Sequence, residues 1–370
     1  LLLATLSAPL WAQSAGCNRA LAIVEEVRQQ YDAPQPDHHA ILSKLKTAQQ
    51  LCPTLGEAWK YAYCSALAIG DSASAERFKT RALFNNVSDL SCGAAVATPA
   101  TPLPSHVRQK FALVIGIGNF RDSEIPKLKY AVKDARDFAH VLTDPQHGNF
   151  PPGNVTLLTD EKATREAILN AVQTLILQAQ ENDLVVIYIS SHGSPTKKEK
   201  GLGGIGHIVT YDTRLQNIWV DAIEYQDFAS KTALIPARRK VAFLDTCFSG
   251  QASKAGAKLL SIEGVGVDDR TAKMFLSGEG TFVITSSKSD ERSWESESIE
   301  NSYFTYYLID ALKRTKEPPT VKEVFDYLSS KVSAAVAKDK SQPQHPQMYP
   351  STGPGDVRIG VVARGDSGNS

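Results

Sequence analysis

The chain carries no net charge, because 40 Lys and Arg balance 40 Asp and Glu over 370 residues. Without a whole-chain field, nothing draws the protein toward nucleic acid or an anionic membrane surface. Long apolar runs are missing too. Leu1-Leu-Leu-Ala-Thr-Leu-Ser-Ala-Pro-Leu-Trp-Ala12 is too short to cross a bilayer. It reads instead as the apolar part of a secretory signal, so residues 1–16 are taken as a signal-peptide remnant and the protein as exported, to the periplasm or beyond. Cysteine is scarce, with five in all, and no spacing among them suits a zinc site. A phosphate-binding fingerprint is absent as well. Gly116-Ile-Gly-Asn-Phe120 follows an apolar run, but Arg121 stands where a third glycine is needed and no Lys-Ser/Thr comes after.

The cysteines are unevenly placed. Cys17, Cys52, Cys64 and Cys92 lie in the first quarter of the chain, and Cys247 stands alone in the rest. Four clustered cysteines in an exported chain imply two disulfides, with three connectivities open. Antiparallel packing of helices favours Cys17–Cys52 with Cys64–Cys92 and leaves Cys247 as the free thiol. Cys17 after Ala15-Gly16 is similar to a lipoprotein attachment site, although Ser14 stands where a large apolar residue is usual.

Residues 17–92 read as helical. Leu21, Val24 and Val27 form a stripe at helical spacing, followed by a break at Ala33-Pro-Gln-Pro-Asp37. Ile41, Leu45 and Ala48 continue a second helix, and Glu57–Ile69 and Ala73–Phe84 supply two more around Gly70-Asp71. The Trp, the alanines and the Gly-Asp turn resemble a tetratricopeptide-like unit, a kind of module that binds protein partners; a plain helical cap is the alternative. Residues 93–108, rich in Ala, Thr and Pro, read as a linker. From 109 to 365 apolar runs of strand length alternate with helical stripes, the pattern of an α/β sandwich around a mostly parallel sheet. His207–Tyr211 and Ile218–Val220 are expected to form a short hairpin, and Val357–Val362 to close the sheet.

Two strand ends carry the chemistry. Asp183-Leu-Val-Val-Ile-Tyr-Ile-Ser-Ser-His-Gly-Ser194 and Arg239-Lys-Val-Ala-Phe-Leu-Asp-Thr-Cys-Phe-Ser-Gly250 share one layout: a buried apolar strand, then small residues and a reactive side chain. Carboxyl ends of central strands are where open α/β sheets place their sites. A thiol at neutral pH is mostly protonated, and a nearby imidazole converts it to the nucleophilic thiolate. His192 and Cys247 are therefore the candidate base and nucleophile.

These motifs, with the opening strand Phe111–Ile117, the helix Leu128–Arg136, Thr285-Ser-Ser-Lys288 and Tyr303–Ile309, resemble the caspase and metacaspase clan of cysteine peptidases, on its bacterial side. The separation of 55 positions from His192 to Cys247 is close to the spacing of about 50 known for caspases, although the Gln-Ala-Cys signature of animal caspases is absent. The resemblance implies a caspase-like α/β/α sandwich, preceded here by the disulfide-bonded helical domain, and a thiol protease acting on protein or peptide substrates. It implies a dyad of Cys247 and His192, with the backbone N–H groups of Gly193 and Cys247 as oxyanion hole. It also implies an acidic pocket of Asp134, Ser190 and Asp245, hence cleavage after Arg or Lys. Ala131 and Phe248 depart from the metacaspase pattern without removing a catalytic atom, and in the resembling family residues 251–278 correspond to a self-processing loop. No cofactor is implied. Calcium, which some metacaspases need, stays open, since no compact acidic cluster demands it. A legumain-like peptidase with Asn preference and a catalytically weak binding scaffold are the rival readings.

Overall fold

The computed structural model describes residues 15–33, 36–85, 87, 90, 92, 107–194, 206–247, 280–288, 291–314, 317–350 and 357–360. It divides into two compact units, Leu1–Thr101 and Pro102–Ser370. The stretch with the character of a secretory signal lies outside the described residues.

The first unit is four helices: α1 Ala15–Tyr31, α2 His38–Leu51, α3 Gly56–Ala68 and α4 Ser72–Phe84. Asp37 and Asp71 start α2 and α4 by accepting the backbone N–H groups of Ala40 and Ser74, which satisfies donors that a helix end leaves unpaired. Val24, Val27, Ile41, Leu45, Ala48, Ala58 and Ala62 form the core. Leu21, expected within that stripe, is 42% exposed, and Ala20 takes the buried position instead. Cys17 pairs with Cys52 and Cys64 with Cys92. This is the favoured connectivity, and it removes Cys17 as a lipid attachment site because its sulfur is spent in a crosslink.

The second unit is a sheet sandwiched between helices. In chain order it runs β1 Lys110–Gly116, α5 Ala131–Thr143, β2 Val155–Thr159, α6 Arg165–Gln178 and β3 Leu184–Ser194. Next come β4 His207–Ile208, α7 Ile218–Asp221, β5 Ile223–Glu224, α8 Tyr225–Thr232 and β6 Arg239–Cys247. The described chain finishes with β7 Gly280–Thr285, β8 Glu295–Ser296, β9 Asn301–Ser302, α9 Tyr303–Lys313, α10 Val321–Lys340 and β10 Gln347–Tyr349. The main sheet has the order β10-β7-β6-β3-β1-β2. Its neighbours are parallel except β10, which runs antiparallel to β7.

Alternation along β3 shows why these runs are strands. Val185, Ile187 and Ile189 enter the core beneath α6 and α8, while Leu184, Val186 and Tyr188 enter the one beneath α5, α9 and α10. A strand buried on both faces needs apolar residues at every position, and each such side chain contributes about 1.5–3 kcal/mol on burial. Thr164 caps α6 through Ala167 N–H, and Thr320 with Glu323 forms the capping box that opens α10.

Two expectations fail. Ile218–Val220 is the short helix α7, with Trp219 and Val220 50% and 73% exposed, so β4 pairs with Ile223–Glu224 instead. Gln347–Tyr349 pairs with β7 at the sheet edge, and the described residues 357–360 of the run expected there are not in the main sheet. Among the described part of that run, Val357 and Ile359 hydrogen-bond to the approach and start of α10, at Val321 and Pro319.

Gly116, at the end of β1, lets α5 lie close. A Cβ there would sit 2.4 Å from Ala135 Cβ and 2.5 Å from the Ala131 carbonyl oxygen. Gly116→Ala must lift α5 from the sheet, and chemical denaturation is expected to show a loss of about 1–3 kcal/mol. Unchanged stability would mean that the helix yields freely.

Candidate active site

The ladder between β3 and β6 sets the site. Its register pairs Tyr188 with Phe243, Ser190 with Asp245 and His192 with Cys247. Residues two apart on a strand lie on the same face, and cross-strand partners share that face. Both strand ends therefore present a polar pair followed, one step further out, by the backbone positions of His192 and Cys247. The face is that of Tyr188 and Phe243, against which α5 packs.

The loop between β1 and α5 cradles the imidazole. Phe120 stacks on the His192 ring at 5.3 Å between centroids, and Nε2 lies 2.8 Å from the Pro126 carbonyl oxygen. A carbonyl can only accept, so Nε2 carries the proton, and in the neutral ring Nδ1 holds the in-plane lone pair. Asp160, following β2, fixes this loop by accepting Gly118 N–H and Asn119 N–H, both at 2.9 Å, and the Asn119 side-chain amide at 2.8 Å. His192 is buried, as are Ser190, Asp134 and Asp245.

Asp134, Ser190 and Asp245 are joined through one network. Asp134 accepts from Asn301 Nδ2 at 2.7 Å and from Ser302 N–H at 3.1 Å. Asp245 accepts from Ser293 Oγ at 2.8 Å, from Thr305 Oγ1 at 3.0 Å and from Ser302 Oγ. Ser302 thus touches both carboxylates while also capping α9, so both acids sit at the positive end of that helix, which offsets part of their repulsion. Tyr188 Oη meets Thr305 Oγ1 and is hydrogen-bonded to Ser190. Burial, and after it the charge of Asp245, push Asp134 well above the ordinary carboxylate range. A third acid, Glu295, accepts Tyr130 N–H at 2.7 Å and Lys129 N–H at 3.2 Å at the start of α5, and burial raises its pKa too.

Sequence reasoning did not find Ser293, Glu295, Ser302 or Thr305. Only Ser302 left a local signal, an Asn-Ser pair before an apolar helix, which is an N-cap pattern. Gly193 pairs with Ile208 at the start of the small β3–β4–β5 extension. Among the described residues, a Cβ at 193 would meet nothing nearer than 3.7 Å, so their packing does not require glycine there. Residues 195–205 and 248–279, with the self-processing region expected at 251–278, lie outside the described residues. Among the described residues, no cluster of His, Cys, Asp and Glu is placed to hold a metal ion, and no helix is long and apolar enough to cross a membrane.

Residues 109–357 match the model of the caspase domain family. Metacaspase-1 of the yeast Debaryomyces hansenii is 30% identical over 155 residues, 39% of this chain and 33% of that protein. Metacaspase-1 of Botryotinia fuckeliana is 28% identical over 200 residues, 48% of this chain and 42% of that protein. The chain therefore spans less than half the length of these curated relatives. The crystal structure of caspase-1 from Spodoptera frugiperda overlays with a TM-score of 0.45 at 16% identity, covering 66% of this chain and 89% of that one.

Proposed function

The chain belongs to the caspase domain family, and from that premise we propose that it is an exported cysteine endopeptidase cleaving after Arg or Lys. The observation that carries this reading is the register of His192 with Cys247 and of Ser190 with Asp245. Two ladder pairs at equal offsets support the reading of one as the dyad and the other as part of the specificity pocket.

In the proposed reaction His192 Nδ1 takes the proton of the Cys247 thiol, and the thiolate attacks the carbonyl carbon of the scissile bond. The backbone N–H groups of Gly193 and Cys247 receive the developing oxyanion. His192 then gives its proton to the leaving amine, and the C–N bond breaks to leave a thioester on Cys247. Water, deprotonated by the same imidazole, hydrolyses the thioester and frees the thiol. The bond from Nε2 to Pro126 supports these roles because it holds the imidazole in the tautomer whose Nδ1 can take a proton.

Asp134 and Asp245 supply the acidic floor that a guanidinium or ammonium would meet. The two disulfides of the helical unit support an oxidising compartment.

The test is turnover of fluorogenic peptides ending in Arg, Lys, Asn or Asp, with Cys247→Ala as control. Cleavage of the Arg and Lys peptides is expected; turnover of only the Asp or only the Asn peptide rejects the acidic pocket. Because packing against the described residues does not demand glycine at 193, Gly193→Ala should fold with an unchanged melting temperature. It should still slow acylation on the order of 10²-fold by crowding the oxyanion. Full activity in that variant would remove Gly193 from the oxyanion hole.

A further inference from the structure

Asp245 is the pocket acid on the nucleophile's own strand, and its orientation is set from outside that strand. Gln344, in the turn between α10 and β10, is fully buried. Its Oε1 accepts Trp294 N–H at 2.9 Å, while its Nε2 donates to the Ser286 carbonyl at 3.0 Å and to Ser293 Oγ at 3.1 Å. These partners fix which end of the amide faces which way, since an oxygen must meet Trp294 N–H and a nitrogen must meet the Ser286 carbonyl. Ser293 Oγ then gives its one proton to Asp245 Oδ1 at 2.8 Å. The chain of donors therefore runs in one direction, from the Gln344 amide through the Ser293 hydroxyl to the Asp245 carboxylate.

The anchors at both ends are firm. Ser286 N–H donates to the Leu244 carbonyl, one residue before Asp245, and Ser333 Oγ on α10 donates to the Gln344 carbonyl at 2.9 Å. Gln344 thus ties residues 286 and 293–294, which flank Asp245, to the helix layer.

We propose that Gln344 is a specificity-positioning residue: through Ser293 it orients the Asp245 carboxylate to receive the basic side chain of the substrate. It touches no reacting atom. The proposal rests on the Arg/Lys reading above and goes beyond it by naming what sets the pocket.

The test uses the full chain, with Gln344→Met, Ser293→Ala, Ser293→Thr and the double variant Gln344→Met/Ser293→Ala. Each is assayed with an Arg-ended peptide and for alkylation of Cys247 by iodoacetamide. Gln344→Met and Ser293→Ala are each expected to raise KM for the Arg peptide about tenfold, equivalent to about 1.4 kcal/mol. kcat should change less than threefold, and alkylation should keep its wild-type rate. Ser293→Thr keeps the hydroxyl and should restore KM, and the double variant should be no worse than either single one, because both break the same chain. Additive losses, a fall in kcat at constant KM, or slowed alkylation would overturn the proposal. If Gln344→Met fails to fold, the Ser293→Ala and Ser293→Thr pair still decides it. If the wild-type protein cleaves no Arg or Lys peptide, the Arg/Lys reading itself fails; wild-type turnover with an indifferent Ser293→Ala rejects only the role of Gln344.

Discussion

Replacing His192 by Ala should lower kcat/KM for the Arg peptide on the order of 10³-fold, and Cys247→Ala should leave no measurable turnover. The argument starts from one hydrogen bond. With Nε2–H given to Pro126, Nδ1 is the ring nitrogen left to accept a proton when the imidazole is neutral, and the strand position of His192 is the register partner of Cys247. Removing the ring leaves the thiol to ionise unaided, and thiolate is the reactive form. Iodoacetamide should therefore label His192→Ala more slowly than wild type at pH 7, and the two rates should converge above the ordinary thiol pKa of about 8.5. Equal labelling at neutral pH would show that the imidazole does not activate the sulfur. Phe120→Ala keeps both nitrogens but frees the ring face that Phe120 covers, so it should lie between wild type and His192→Ala.

Asp134→Asn is expected to move activity and stability in opposite directions. Burial and the neighbouring Asp245 hold Asp134 well above the usual carboxylate range. Its folded pKa thus exceeds the unfolded value of about 3.9, and across that window the folded chain binds the extra proton. The stabilisation this site provides is complete below the unfolded pKa and is lost as pH rises through the folded one. Above the unfolded pKa the folded site must either bury a charge or hold a proton, a cost that Asn removes, while Oδ1 still accepts from Asn301 and Ser302. The melting temperature of Asp134→Asn should accordingly exceed that of wild type at pH 7 and approach it in acid. Binding a cationic side chain needs the ionised acid, so wild-type kcat/KM for Arg peptides should climb with pH through this same ionisation. In Asp134→Asn the climb should disappear and the plateau fall on the order of 10-fold or more, the loss expected for one charged contact of about 1.5–3 kcal/mol. A variant less stable at pH 7 with an unaltered pH profile would remove Asp134 from the pocket.

The parts legible in the sequence are those written in local periodicity. The strands ending at Ser194 and Cys247 contain the unbroken apolar runs Leu184–Ile189 and Val241–Leu244, and a strand buried on both faces asks for such runs. The equal offsets of Ser190 from His192 and of Asp245 from Cys247 carried over directly into ladder partners. What escaped notice depends on contacts between distant segments. Ser293, Ser302 and Gln344 lie in stretches without a period, and their role exists only once α9 and β10 are folded back on β7. Gln347–Tyr349 was likewise hidden, since three residues beside prolines offer no alternation to read, whereas Val357–Val362 looks like a strand by composition alone. Trp219 and Val220 misled for a related reason: apolar β-formers suggest an inward strand, and here they face solvent on a helical turn.

The crosslinks of the helical unit have a practical consequence for anyone handling the protein. A mercaptan added to keep Cys247 reduced would also attack the bonds at 17–52 and 64–92, whose closed loops span 35 and 28 residues. Opening loops of that size forfeits about 3–4 kcal/mol each by chain-entropy reckoning. A routine thiol-peptidase buffer would then assay the sheet unit beside a loosened N-terminal module, and any influence of that module on proteolysis would vanish from the measurement. A phosphine-free, mercaptan-free assay run alongside the reduced one would separate the two units without altering a residue.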